Sequence, residues 1–203
     1  MKIAFLYAGQ GSQRVGMGRD LYDASPAFRA AFDAGHLDFD LHALCFEGAQ
    51  ETLNQTQYTQ PCMVAFACGV TAALFDAGLR PDYVAGLSLG EYSALEASGV
   101  LTAQSAIELA AYRGAAMAKA SEGIQSAMTA VLGLDREALM RCCDEAGALG
   151  VVQICNYNCP GQIVIGGEAA AVARAGELAK EAGARRLLPL RVSGPFHTPL
   201  RRP

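Results

Sequence analysis

The chain has 203 residues, of which 52% are hydrophobic and 18% charged, with a formal net charge of -4. That composition can bury a sizeable core, as one domain or as one domain carrying a smaller insert, and it excludes an intrinsically disordered chain. The mild negative charge excludes a general attraction to nucleic acid or to anionic membrane, so neither is expected as a partner.

In chain order, "KIAFLYAG" is a short apolar run ending in glycine and reads as a buried strand. "SPAFRAAFDAG" has the grammar of a helix, with Ser25 as N-cap, Pro26 at the first helical position and Gly35 as the stop. The polar stretch "GHLDFDLHAL" that follows is expected to be irregular, which puts His36 and His42 on the surface or in loops. "TQPCMVAFACGVTAALFDAG" repeats the helical grammar, with Pro61 near its start and Gly78 at its end. "DYVAGLS" reads as a second buried strand, "LGEYSALEASG" as a helix, and "LTAQSAIELAAYRGAAMAKAS" as another with Thr102 as N-cap. Strands alternating with helices predict a parallel sheet covered on both faces.

The rhythm then changes to strand, helix, strand, turn, strand, helix, strand: "SAMTAVLGL", "DREALMRCCDEAG", "VVQICNYN", "CPG", "QIVIGG", "EAAAVARAGELAKEAG" and "ARRLLPLRV". This is the β-α-β-β-α-β order of a ferredoxin-like unit. The expected organisation is a large α/β domain over residues 1–125 and 193–203, with a small ferredoxin-like domain inserted over 126–192.

The seven cysteines are odd in number and sit mostly in apolar segments. No signal peptide is read ahead of the first strand. Reduced thiols in a cytoplasmic protein are therefore expected, acting as small core hydrophobes, with neither close pair spaced for zinc or redox chemistry. No apolar run is read as approaching the length that spans a bilayer.

The densest chemistry lies in Gly86-Leu87-Ser88-Leu89-Gly90, a GxSxG pattern between an apolar strand and an amphipathic helix. In that context the pattern marks a nucleophile elbow, whose glycines permit a close backbone turn and whose serine hydroxyl is exposed at a helix start. The Leu89 N-H and the helix N-terminus can stabilise an oxyanion there. A serine needs a base, and His197 in "SGPFHT" is the best candidate of three histidines, because Gly194 and Pro195 fix the backbone around it.

"AGQGSQRVG" after the first strand fails as a dinucleotide fingerprint, since Arg14 stands where the third glycine belongs. Gln10 is either a turn residue or a donor to a bound acyl oxygen. Arg113 is either a snorkelling surface arginine or a bidentate partner for a substrate carboxylate.

Five stretches in one order, "GQGSQ" (9–13), "GLSLGEYSAL" (86–95), "RG" (113–114), "NYNCPGQIVIGG" (156–167) and "GPFHT" (194–198), resemble the malonyl-CoA:acyl carrier protein transacylase family of bacterial fatty acid synthesis. The resemblance implies an α/β-hydrolase-like large domain with the ferredoxin-like insert. It implies Ser88 as nucleophile, His197 as base and later acid, and Gln10 with the Leu89 N-H as oxyanion hole. It further implies Arg113 as the clamp on the malonyl carboxylate, Met117 lining the acyl pocket, and Asn156 and Phe196 shaping the cleft. Malonyl-CoA and acyl carrier protein would be the partners of a monomer that needs no metal or cofactor.

Two features depart from the family. Leu87 stands where a histidine is common, and is expected to point into packing. Relatives also continue past the "GPFHT" histidine, so the resemblance implies a C-terminally truncated chain with weak activity by itself. The competing readings are a GxSxG hydrolase or thioesterase, with Asp135 or Asp144 as the acidic member, and an inactive carrier-binding fragment using Arg185, Arg186, Arg191, Arg201 and Arg202.

Overall fold

A computed structural model of the chain describes residues 1–190 and 194–201. They form an α/β structure of two compact units, Met1–Ala116 and Met117–Pro203.

In the first unit, β1 (Ala4–Tyr7) runs parallel to β2 (Tyr83–Gly86), with Ala4 opposite Tyr83 and Tyr7 opposite Gly86. Between them come helices α1 (Arg19–Ala24), α2 (Pro26–Phe32), α3 (Leu41–Glu47), α4 (Gln50–Leu53) and α5 (Thr56–Asp76); α6 (Gly90–Ala97) and α7 (Ala103–Lys119) follow β2. Local chemistry sets these boundaries. The Ser25 side chain accepts from the Phe28 N-H with Pro26 at the first turn of α2, and the Thr102 hydroxyl accepts from the Ser105 N-H at 3.1 Å ahead of α7. Phe28, Phe32, Cys45, Leu53, Cys62, Val64, Cys68 and Ile107 close the core. Each large side chain so buried contributes roughly 1.5–3 kcal/mol.

Three expectations are corrected here. Residues 41–44, the end of the stretch read as irregular, lie in helix α3, because Asp40 caps it by accepting from the Ala43 N-H while Cys45 and Phe46 turn inward. His42 therefore lies on a helix, half-buried, with its ring 4.9 Å from that of Tyr22 and 4.7 Å from that of Phe46. Second, the first sheet is covered on one face: Phe5 and Tyr7 turn inward, while Leu6 is 78% and Tyr83 64% exposed. An open groove of about 390 Å³ runs along β1 against Met63, Phe66, Val70 and Leu74 of α5. Apolar strands next to helices identify a sheet, but not what lies on each side of it. Third, α5 is long and apolar enough, by length and composition, to cross a membrane, with 21 residues and a mean hydropathy of 1.3. Thr59, Gln60 and Thr71 interrupt its runs without lowering the average much, and 56% of that apolar window is buried in the fold.

The second unit contains β3 (Ser126–Leu132), α8 (Arg136–Ala146), β4 (Val152–Cys159), β5 (Gln162–Glu168), α9 (Ala169–Glu181) and β6 (Arg186–Pro189). All pairings are antiparallel and the strand order is β4-β5-β3-β6. Asp135 caps α8 by accepting from the Ala138 N-H. Ala171, Ala175 and Ala179 keep one face of α9 thin, and Gly176 lies where an added Cβ would be 3.2 Å from Leu187. Val131, Leu139, Ile163, Ile165 and Val172 fill the space beneath. The expected extension of the last strand through 191–192, the 192/193 boundary, Arg191, Arg202 and the side chain of Arg201 lie outside the described residues.

The cysteine reading also needs correction. Cys45, Cys62, Cys68, Cys142 and Cys143 are buried, but Cys155 is half-exposed and Cys159, beside the β4-β5 turn, is exposed. Turn residues adjoin solvent whatever their hydropathy.

Candidate active site

Ser88 lies between the end of β2 and the start of α6 at φ 52°, and His197 has φ 59°; these are the non-glycine residues with positive φ among the described residues. A left-handed backbone at a residue with a Cβ costs roughly 1–2 kcal/mol, so the surrounding turn must enforce it. The enforcement at Ser88 is visible. A Cβ on Gly86 would sit 2.0 Å from the Gly90 carbonyl carbon, and one on Gly90 would sit 2.3 Å from the Tyr7 carbonyl oxygen. A Cβ on Gly9 would come 2.9 Å from the Leu87 carbonyl oxygen. The three glycines let the loop after β1, the end of β2 and the start of α6 pack backbone to backbone, with the Leu87 N-H donating to the Tyr7 carbonyl at 3.1 Å. Leu89 is buried at the N-cap of α6. Leu87 is 49% exposed and does not point into packing as expected, because strand alternation turns Gly86 inward and its neighbour outward.

Arg113 of α7 reaches this corner. Its Nη2 donates to Ser88 Oγ at 3.1 Å and its Nη1 to Gln60 Oε1 at 2.8 Å, while its guanidinium carbon lies 5.8 Å from the centre of the Tyr92 ring. Partial burial lowers the Arg113 pKa, against upward pulls from Tyr92 and Glu91. Arg113 is thus no snorkelling surface residue. Gln10, in the turn after β1, donates from Nε2 to Thr56 Oγ1 at 3.1 Å. Arg113 thus links Ser88 with Gln60 and Tyr92, while Gln10 pairs with Thr56, and Thr56 and Gln60 both belong to α5. Thr56, Gln60 and Tyr92 escape sequence reasoning; for Thr56 and Gln60 the available signal was polar residues set into the apolar α5 ahead of Pro61.

The second unit carries the other candidates. His197 is exposed between buried neighbours, and its carbonyl accepts from Gln153 Nε2 at 2.9 Å. The Phe196 N-H donates to the Gly194 carbonyl at 2.9 Å and the Thr198 hydroxyl to the Pro195 carbonyl at 2.7 Å, which tightens the turn around it. Phe196 is 8% exposed and packs with Met128, Ala130 and Val164, with Met117 and Cys155 against the same cluster. Asn156 is half-buried in β4, opposite Val164 and beside a register shift. Asp135 is committed to capping α8 and Asp144 lies exposed on that helix, so neither has the setting of a triad acid.

A serine held at positive φ between a parallel strand and a helix, with neighbouring glycines at backbone contact, defines the strand-elbow-helix class of α/β proteins. The chain matches the family model described as acyl transferase domain over residues 4–200 and belongs to that family. It is similar to the malonyl CoA-acyl carrier protein transacylase of Bacillus subtilis (strain 168), at 47% identity over 205 residues covering 100% of this chain and 65% of that relative. The protein of the same name from Haemophilus influenzae is 45% identical over 208 residues, covering 100% of this chain and 66% of its own length.

Among solved structures, the MCAT of Streptococcus pneumoniae superposes with a TM-score of 0.91 at 51% identity, over 98% of this chain and 66% of that one. A malonyl-transacylase in complex with its type II PKS acyl-carrier protein superposes at 0.94 with 42% identity, over 98% and 66%. The chain therefore spans 65 to 66% of the length of these relatives.

Proposed function

We propose that the protein moves a malonyl group from coenzyme A to the phosphopantetheine thiol of acyl carrier protein, for fatty acid synthesis in the cytoplasm. The carrying observation is the 3.1 Å hydrogen bond from Arg113 to Ser88 Oγ. It puts a fixed positive charge beside a serine elbow, which favours an acyl group that ends in a carboxylate. The names and folds of the relatives support the same reading.

In the proposed reaction Ser88 Oγ attacks the thioester carbonyl, and His197 takes the serine proton. The Leu89 N-H and the Gln10 amide hold the developing oxyanion, and its collapse expels coenzyme A, whose sulfur takes the proton from His197. The malonyl ester on Ser88 is then attacked by the carrier thiol in the reverse sense, with His197 again moving the proton. Arg113 pairs with the free carboxylate throughout, while Met117, Asn156 and Phe196 shape the acyl pocket. Coenzyme A enters as a substrate, and the scheme needs neither metal nor resident cofactor from a monomer.

The finer fold assignment follows the same reading, with a hydrolase-like large domain over 1–125 and 193–203 and a ferredoxin-like small domain over 126–192. The β-α-β-β-α-β order and the β4-β5-β3-β6 sheet support it. The compact units divide at Ala116 and Met117, whereas these boundaries follow topology and give the connecting segments to the large domain.

The direct test is intact-mass analysis of the chain after exposure to malonyl-CoA, followed by holo acyl carrier protein. One malonyl ester on Ser88, absent from Ser88→Ala and discharged by the carrier thiol, is the expected result. Hydrolysis of the thioester at full rate without any carrier thiol would instead favour a thioesterase.

A further inference from the structure

We infer that one face of helix α5, through Thr56 and Gln60, is the positioning element for the two groups that meet the acyl substrate, Gln10 and Arg113. Thr56 is 1% and Gln60 0% exposed, and they stand one helical turn apart, so both project from the same side of α5. A buried hydroxyl and a buried amide in so apolar a helix are costly unless hydrogen-bonded. Here each is bonded to a side chain of the site. Thr56 Oγ1 accepts from Gln10 Nε2 at 3.1 Å, and Gln60 Oε1 accepts from Arg113 Nη1 at 2.8 Å.

The geometry has a backbone cause. A Cβ on Gly114 would lie 2.8 Å from the Thr56 carbonyl oxygen and 3.0 Å from Gln57 Cα, so α7 meets the first turn of α5 at a position where only glycine fits. Arg113, the preceding residue, is thereby brought within reach of Gln60. With Nη1 held by Gln60, the planar guanidinium has its Nη2 edge fixed on Ser88 at 3.1 Å. Gln60 thus sets the rotation of the carboxylate clamp and Thr56 the direction of the Gln10 amide. Neither need touch the substrate, so both are positioning residues.

The two bonds predict different losses. The Arg113 clamp matters only to an acyl group bearing a carboxylate, whereas an oxyanion donor matters to every acyl group. The substrate part of the inference rests on the malonyl-transfer reading, and a chemical readout separates the two. In single-turnover acylation of Ser88 by the full chain, Gln60→Met should lose about tenfold more rate with malonyl-CoA than with acetyl-CoA. Thr56→Val should slow both substrates alike, and Thr56→Ser should restore both. Modification of Arg113 by phenylglyoxal, followed on its peptide by mass spectrometry, needs no activity. It should accelerate several-fold in Gln60→Met and stay at the wild-type rate in Thr56→Val, with thermal midpoints confirming that both variants are folded.

A folded Gln60→Met with wild-type Arg113 reactivity overturns the assignment of Gln60, as does an unchanged ratio of malonyl to acetyl rates. Equal slowing by Thr56→Val and Thr56→Ser overturns that of Thr56. Absence of any Ser88 acylation in the wild-type chain would count against the transfer reading, and the phenylglyoxal rates would still decide whether Gln60 positions Arg113.

Discussion

The Arg113 guanidinium donates one hydrogen bond to Ser88 Oγ at 3.1 Å and another to Gln60 at 2.8 Å, so it bridges the elbow and the buried face of α5. A charge-assisted bond of this kind is worth roughly 1.5–3 kcal/mol, or about one to two orders of magnitude in rate. Arg113→Ala should therefore cut malonyl acylation of Ser88 by about 100-fold while acetyl acylation falls much less. Arg113→Lys should recover little, because an ammonium is a point charge that cannot hold both partners in one plane. Parallel acylation rates with the two thioesters measure this, and equal losses would make Arg113 structural.

The elbow glycines give a second expectation. At Gly86 and Gly90 the atoms an added methyl would meet are backbone, at 2.0 and 2.3 Å, and backbone cannot rotate aside as a side chain can. Gly86→Ala and Gly90→Ala should each destabilise the chain by about 3 kcal/mol, the upper range for overpacking. Gly11 has nothing within 4 Å of its Cβ position, but its φ of 117° makes alanine strained there for a different reason, so the comparison should be made with Gly147, which is open and not in the left-handed region. Urea denaturation midpoints should place Gly147→Ala near wild type and the two elbow variants well below it.

These cases show what could be read from the chain and what could not. Ser25 and Thr102 are legible because a cap acts on its own next turn, and the GLSLG corner because the close approach of Gly86 to Gly90 lies within that stretch. Thr56 and Gln60 are illegible because their partners are 46 and 53 residues away in sequence and meet them only once the turn after β1 and helix α7 lie against α5. His42 was misread because polar neighbours disguise a short helix whose ring packing depends on Tyr22 of α1 as well as on Phe46 of its own turn. The open faces of Leu6 and Leu87 were missed because hydropathy marks a residue that favours burial without supplying the neighbour that buries it.

Ser88 itself carries a separable cost. Its φ of 52° is one that glycine adopts without penalty. Ser88→Gly should abolish acylation and raise stability by about 1 kcal/mol relative to Ser88→Ala, which loses the hydroxyl but keeps the strained Cβ. The difference in denaturation midpoint between the two inactive variants isolates the strain. A glycine variant no more stable than the alanine variant would show that the surrounding turn accommodates a side chain at this φ without cost.

Glu96, near the end of α6, supplies a dependence on pH unconnected with the proposed chemistry. Its Oε2 is buried with no hydrogen-bond partner among the described residues. Burial pushes its pKa up to about 7 from 4.5, against a smaller downward pull from a hydrogen bond with the Cys68 thiol of α5. The Tyr7 phenol of β1 also faces it, and Arg80 and Asp82 line the same groove. A carboxyl with a raised folded pKa holds its proton in the native state at pH values where the unfolded chain has released it. Stability therefore falls as pH rises from about 4.5 to about 7, and the full penalty persists above that. Glu96→Gln keeps the shape and removes the charge, so it should gain on the order of 1–2 kcal/mol over wild type at pH 8, after discounting for the part solvent reaches, and almost nothing at pH 4. Urea denaturation of both proteins across that range reads the effect. Converging curves at low pH identify Glu96 as the titrating group, whereas parallel curves would assign the pH dependence to another residue.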